Sequence, residues 1–94
     1  MESLGTVRAV SLPDVLAQEL QGESVLLNVR NGRYYGLDEV GTRMWTVMTS
    51  SKSLREACDK LLAEYDIDPD RLENDVTKLA EDLVEHGLVE IQNA

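Results

Sequence analysis

Asp66, Asp68 and Asp70 are spaced like the first three ligands of a calcium-binding loop. The match ends there. Such a loop needs glycine at its sixth position and a bidentate glutamate at its twelfth, and this chain carries Arg71 and Thr77. The three aspartates fit better as the N-cap of a helix and as partners of its positive end. His86, the single histidine, falls in the last turn of that helix, where a cation is favoured, and no second ligand stands at metal spacing from it. Cys58, the single cysteine, lies on the apolar face of another helix and reads as a small buried hydrophobe rather than a nucleophile. Gly32 and Gly36 belong to a hairpin, not to a phosphate-cradling loop. These residues make no catalytic constellation, no metal site and no cofactor motif.

Chemistry of another kind sits in the run from Val25 to Asp38. Val25, Leu27 and Val29 share one face of a strand, because side chains alternate at a period of two. Asn31-Gly32 is the dipeptide favoured in a two-residue type I′ turn, whose central residues both need positive φ. Arg33, Tyr34, Tyr35, Gly36 and Leu37 form the return strand, and Asp38 caps the helix that follows. A return strand at the edge of a small sheet offers unpaired backbone groups to another chain. The candidate site is a strand edge.

Composition bounds what such an edge can bind. The 94 residues make one domain with a modest core and no room for a large active-site cavity. The longest aliphatic run, Val25-Leu26-Leu27, is far too short to span a membrane, and nothing resembles a signal peptide. A single cysteine excludes an internal disulfide and fits the reducing cytoplasm. The net charge of −9 is unevenly placed. Residues 1–63 hold eight acids and seven bases, whereas residues 64–94 hold ten acids and two bases. That field repels nucleic acid and attracts basic peptide or protein surfaces. Its plain structural meaning is a solvated helix face with acids at its N-terminal end.

The elements run β first, then α. Thr6 to Leu12 alternates as a strand, and Val15 to Leu20 is open between strand and short helix. A first helix spans Glu39 to Thr49, with Val40, Met44, Trp45 and Met48 on its apolar side and Gly41 as a point of close packing. Ser53 and Glu56 form a capping box for a second helix that reaches Tyr65. Asp68, Pro69 and Gly87 mark the start and stop of a third. Its stripe of Leu72, Val76, Leu79, Ala80, Leu83 and Val84 is wider than a seam needs, and Asp75 and Asp82 border it. Two readings stay open for it: a wholly buried stripe, or a core contact that also lines a groove. Leu88 to Ile91 closes the chain as a short strand.

In order and spacing, the segment from Glu23 to Ile91 resembles the PqqD-like family. The resemblance rests on the hairpin Val25–Val29 and Asn31–Asp38, Gly41 and Trp45, and Leu54-x-x-Ala57. It continues through Tyr65-x-Ile67-Asp68-Pro69, Asp75-Val76, Leu79-x-x-x-Leu83 and Gly87-Leu88-Val89. It implies an α+β, winged-helix-like fold, a three-stranded antiparallel sheet followed by three helices. It further implies a domain that recognises the leader segment of ribosomally made precursor peptides. The leader adds as a strand along Arg33–Asp38 and lays its side chains against the third helix. Leu72, Val76, Leu79 and Leu83 then floor the groove, and Asp75 and Asp82 attract basic leader residues. Of Tyr34 and Tyr35, one packs inward and the other bounds the groove. Within the family, the free-standing leader-binding proteins of lasso-peptide pathways are the nearer likeness, and these deliver the precursor to a leader peptidase. The farther likeness is the PqqD-type chaperone that presents a precursor to a radical enzyme in quinone cofactor synthesis.

The implied partners are a leader peptide and its processing enzyme, with no cofactor, no nucleic acid and no membrane. The chain is expected as a monomer or a domain-swapped dimer. Two rival readings need other features. A DNA-binding winged helix needs a basic recognition helix, and this one is acidic. A docking subunit for a folded partner would use the acidic helix and leave the strand edge capped by the Met1–Leu20 segment.

Overall fold

The computed structural model describes residues 4–94. A 3-10 turn at Leu4–Thr6 leads into β1 (Val7–Ser11), β2 (Val15–Leu20), β3 (Glu23–Asn28) and β4 (Tyr34–Leu37). Three helices follow, α1 (Glu39–Ser50), α2 (Leu54–Glu64) and α3 (Pro69–Glu85), and β5 (Val89–Asn93) closes the chain. The strands form two antiparallel sheets, a ribbon of β1 with β5 and a three-stranded sheet in the order β2-β3-β4. The fold is thus the expected α+β arrangement of a three-stranded antiparallel sheet followed by three helices. To it is added a ribbon that joins the two ends of the chain.

Each helix begins where its sequence says it should. Asp38 accepts the Gly41 amide at 2.7 Å, and Ser53 accepts the Glu56 amide at 3.1 Å. Asp68 accepts the amides of Asp70 and Arg71 at 2.8 and 3.3 Å, with Pro69 in the first helical position. The Asp68 carboxylate is thus committed to a cap. In the box at α2 the Glu56 carboxylate reaches back to the Lys52 amide, one residue before the cap. Gly87, at φ +72°, ends α3, with bonds from its amide to Val84 and from the Leu88 amide to Leu83. That pair of bonds is a Schellman closure.

The hairpin departs from expectation. No two-residue turn forms at Asn31-Gly32, and only Gly32 of the pair has positive φ. Asn28 is the reason: its side-chain oxygen accepts the amides of Arg30 and Asn31, and its amide nitrogen donates to the Gly87 carbonyl at 2.6 Å. A wider loop, Val29 to Arg33, results. The two-residue turn with positive φ at both central positions lies instead at Gln21-Gly22, joining β2 to β3. Val15–Leu20 is therefore a strand.

The inner face of β3 carries Ser24, Leu26 and Asn28, while Val25 and Leu27 face outward. Leu26 enters the core. Ser24 and Asn28 are buried because each has a partner, Thr42 at 2.7 Å for Ser24 and Gly87 for Asn28. The core lies between this sheet and the helices, with Met48, Leu54, Leu61, Leu72, Val76, Leu83 and Leu88 fully enclosed. Cys58 is among them, and burial pushes its thiol pKa up, as suits an inert thiol.

Candidate strand-edge site

β4 is an edge of the three-stranded sheet, with no strand on its outer side among the described residues. The Asn28 amide donates to the Arg33 carbonyl at 2.8 Å, which fixes the bonding pattern of the pair. Alternate residues of an antiparallel strand bond to the same neighbour, so the Arg33 carbonyl and the backbone groups of Tyr35 and Leu37 turn toward β3, while the Arg33 amide donates to Asn31 Oδ1. Tyr34 and Gly36 turn theirs outward. Gly36 is exposed and carries no side chain to obstruct that edge.

The register also separates the two tyrosines. Tyr35 lies opposite Leu26 and shares the inner face, whereas Tyr34 stands on the outer face and is 70% exposed. Tyr35 packs edge-on against the His86 ring at a centroid distance of 5.0 Å. Its hydroxyl donates to Asp82 at 3.3 Å. Partial burial and the neighbouring Asp82 carboxylate push the phenol above its usual pKa. Arg33 donates to the Glu85 carbonyl at 2.6 Å, placing a cation at the negative end of α3. Arg33 and Tyr35 together tie the start of β4 to the last turns of α3.

Farther along the strand the two elements part. A groove of about 460 Å³ opens between Tyr35–Asp38 on one side and Asp75 and Leu79 on the other, with Val40, Gly41 and Met44 between them. A second cavity, of about 300 Å³, shares Val40, Met44 and Asp75 with the first and continues toward Leu61, Tyr65, Ile67 and Leu72. The two are successive stretches of one trough. Asp38 caps α1 at the mouth of the trough. A Cβ on Gly41 would meet Leu37 Cδ2 and Asp38 Oδ1 at 3.2 Å each, so glycine lets α1 start tight against the strand.

The apolar residues of α3 divide by burial. Leu79 is half-buried and reaches the groove, and Leu72 is 1% exposed at the far cavity. Val76 and Leu83 are fully enclosed and contribute no surface to the trough. Asp75 stands exposed on the rim and makes no ion pair among the described residues. Asp82 already holds the Tyr35 hydroxyl, and Lys78 lies 3.6 Å away. Leu37 is buried, and the Asp38 carboxylate is engaged by its cap. Val40, 47% exposed, and Met44 line the groove although their spacing reads as core. Their position directly after the edge strand was the available signal. The segment from Leu4 to Leu20 does not cover β4: β1 pairs with β5, and β2 lies on the far side of β3. Residues 1–3 lie outside the described residues. No helix among the described residues is long and apolar enough to cross a membrane.

The family model described as coenzyme PQQ synthesis protein D (PqqD) matches residues 23–89. None of the curated proteins matches the chain. Among solved structures, TbiB1 in complex with the TbiA(beta) leader peptide is similar, at 32% identity and a TM-score of 0.79. The match covers 86% of this chain and 94% of that one. Lasso peptide synthetase B1 complexed with the leader peptide superimposes with a TM-score of 0.78 at 22% identity. Here the match covers 88% of this chain and 98% of that one.

Proposed function

The chain belongs to the PqqD family, and from that premise we propose that it recognises the leader of a ribosomally made precursor peptide by adding it as a strand to β4. The carrying observation is the open edge of β4 facing α3 across a trough. Outward backbone groups of Tyr34 and Gly36 supply the main-chain bonds, and the trough accepts alternate side chains of the added strand. Leu79, Val40 and Met44 receive apolar anchors, while Leu72 ends the trough and Val76 and Leu83 hold its floor in place. Asp75 and Asp82 draw basic leader residues, with Asp75 the more available because Asp82 is already engaged. Arg33 and Tyr35 fix the spacing between strand and helix, and Leu37 and Asp38 set where the strand ends.

Leader complexes of two similar proteins support this reading. On the same likeness, the domain delivers the bound precursor to a separate leader peptidase of a lasso-peptide pathway, and the reading asks no catalytic group of this chain. The test is to titrate a fluorescein-labelled leader, taken from a short precursor peptide found encoded beside this gene, and follow anisotropy. Saturable binding at micromolar or lower concentration is expected. No binding to that leader, with the protein folded, refutes the reading.

A further inference from the structure

β2 is the other edge of the three-stranded sheet, and every residue from Leu16 to Leu20 is exposed. The Val29 amide donates to the Asp14 carbonyl at 3.0 Å, so Asp14, Leu16, Gln18 and Leu20 turn their backbone groups toward β3. Ala17 and Glu19 therefore aim their N–H and C=O groups outward. Sheets usually guard such an edge with charged side chains, proline or a bulge. Val15–Leu20 contains neither lysine nor proline, its ladder with β3 runs without a bulge, and Glu19 is its single charge. On its outer face stand Leu16, 61% exposed, and Leu20, 75% exposed.

We propose that this edge pairs with the β2 of a second copy of the chain, antiparallel, with Gln18 on the twofold axis. The pleat restricts the choice, because residues opposite each other must share a face and the axis must therefore pass through a residue. An axis at Glu19 sets like charges directly opposite, which is unfavourable. An axis at Ala17 sets Leu20 against Asp14 of the second copy. Only the axis at Gln18 sets Leu16 against Leu20 of the second copy, and by symmetry it does so twice. Ala17 and Glu19 then face Glu19 and Ala17 of the other strand and exchange four main-chain hydrogen bonds.

Charge favours the same edge. The acid-rich stretch from residue 64 onward includes α3, which flanks β4, two strands away from β2. Pairing at β2 keeps the two acidic helices apart, whereas pairing at β4 would bring them together. The product is a six-stranded sheet, β4-β3-β2-β2-β3-β4, with both β4 edges and both troughs open at its ends. The inference is independent of what the trough binds. The interface is small, so the dimer is weak and concentration-dependent.

Sedimentation equilibrium of the full chain tests it, from micromolar to millimolar concentration. The mass is expected to rise from 10.5 kDa toward twice that value. Ala17→Pro removes an outward N–H without touching the β3 ladder, and Leu20→Lys charges an exposed position; both should hold the monomer mass with unchanged circular dichroism. Gln18→Cys should form an intermolecular disulfide under mild oxidation, since Cys58 is buried and does not compete. Leu16→Cys, which faces Leu20 of the second copy, should not. A monomer mass at every concentration overturns the proposal. So does a dimer that survives both Ala17→Pro and Leu20→Lys, because its interface then lies elsewhere.

Discussion

Gly36→Pro separates strand addition from every other way of using the groove. The Gly36 N–H points away from β3, so proline there breaks no bond within the sheet. Its φ is not positive, and a Cβ would meet nothing within 4 Å. The fold should tolerate both Gly36→Pro and Gly36→Ala. Their effects on binding should differ. Alanine keeps the N–H that an added strand needs. Proline removes it, worth about 0.5–1.5 kcal/mol as a net hydrogen bond, and leaves a leader carbonyl unpaired, costing about 1–3 kcal/mol more. A total of about 1.5–4.5 kcal/mol is a loss of ~10- to ~2,000-fold in affinity. Leader titration by anisotropy reads the affinity, and thermal melting checks that both variants are folded. A folded Gly36→Pro protein that binds the leader as tightly as Gly36→Ala refutes strand addition at β4.

Three further outcomes are expected. Leu79→Arg should abolish leader binding while leaving helical circular dichroism largely unchanged, because Leu79 is only half-buried where it meets the groove; unchanged affinity in the folded variant would remove Leu79 from the site. Gly87→Ala should destabilise the protein by more than about 1 kcal/mol in urea unfolding, since φ is +72° and a Cβ would lie 2.9 Å from Asn31 Nδ2. The Tyr35 phenol should titrate above the ordinary tyrosine range in an absorbance titration, and Tyr35→Phe should delete that component. Because its folded-state pKa is raised, the stability linked to the Tyr35 phenol is fully present below the ordinary tyrosine range. It is lost as pH climbs through the raised value, so urea midpoints should fall there and fall less in Tyr35→Phe.

Helix boundaries were legible because caps are local chemistry. Asp38, Ser53, Asp68-Pro69 and Gly87 need only the next few residues to act. The hairpin loop was not legible, since Asn28 is held by the Gly87 carbonyl, 59 residues away in sequence. The facing of β3 was hidden for a related reason. Val25 and Leu27 alternate as well as Leu26 does with its neighbours, and Ser24 and Asn28 can face inward only because Thr42 and Gly87 satisfy them. Val15–Leu20 was ambiguous because an exposed edge strand has no buried face to impose a period. The edge strand and the groove helix could be picked out from the chain. The division of the α3 stripe could not: Leu79 reaches the groove and Val76 does not because of where β4 ends and α1 begins, which periodicity along one helix does not contain.

Amide hydrogen exchange along β4, read residue by residue by NMR without and with saturating leader, tests the central claim most directly. In the free protein the Tyr35 and Leu37 amides, turned toward β3, should be protected, and those of Tyr34 and Gly36 should exchange freely. Leader binding should protect Tyr34 and Gly36 as well. If the leader binds and those two amides still exchange freely, the β4 edge is not where the peptide pairs.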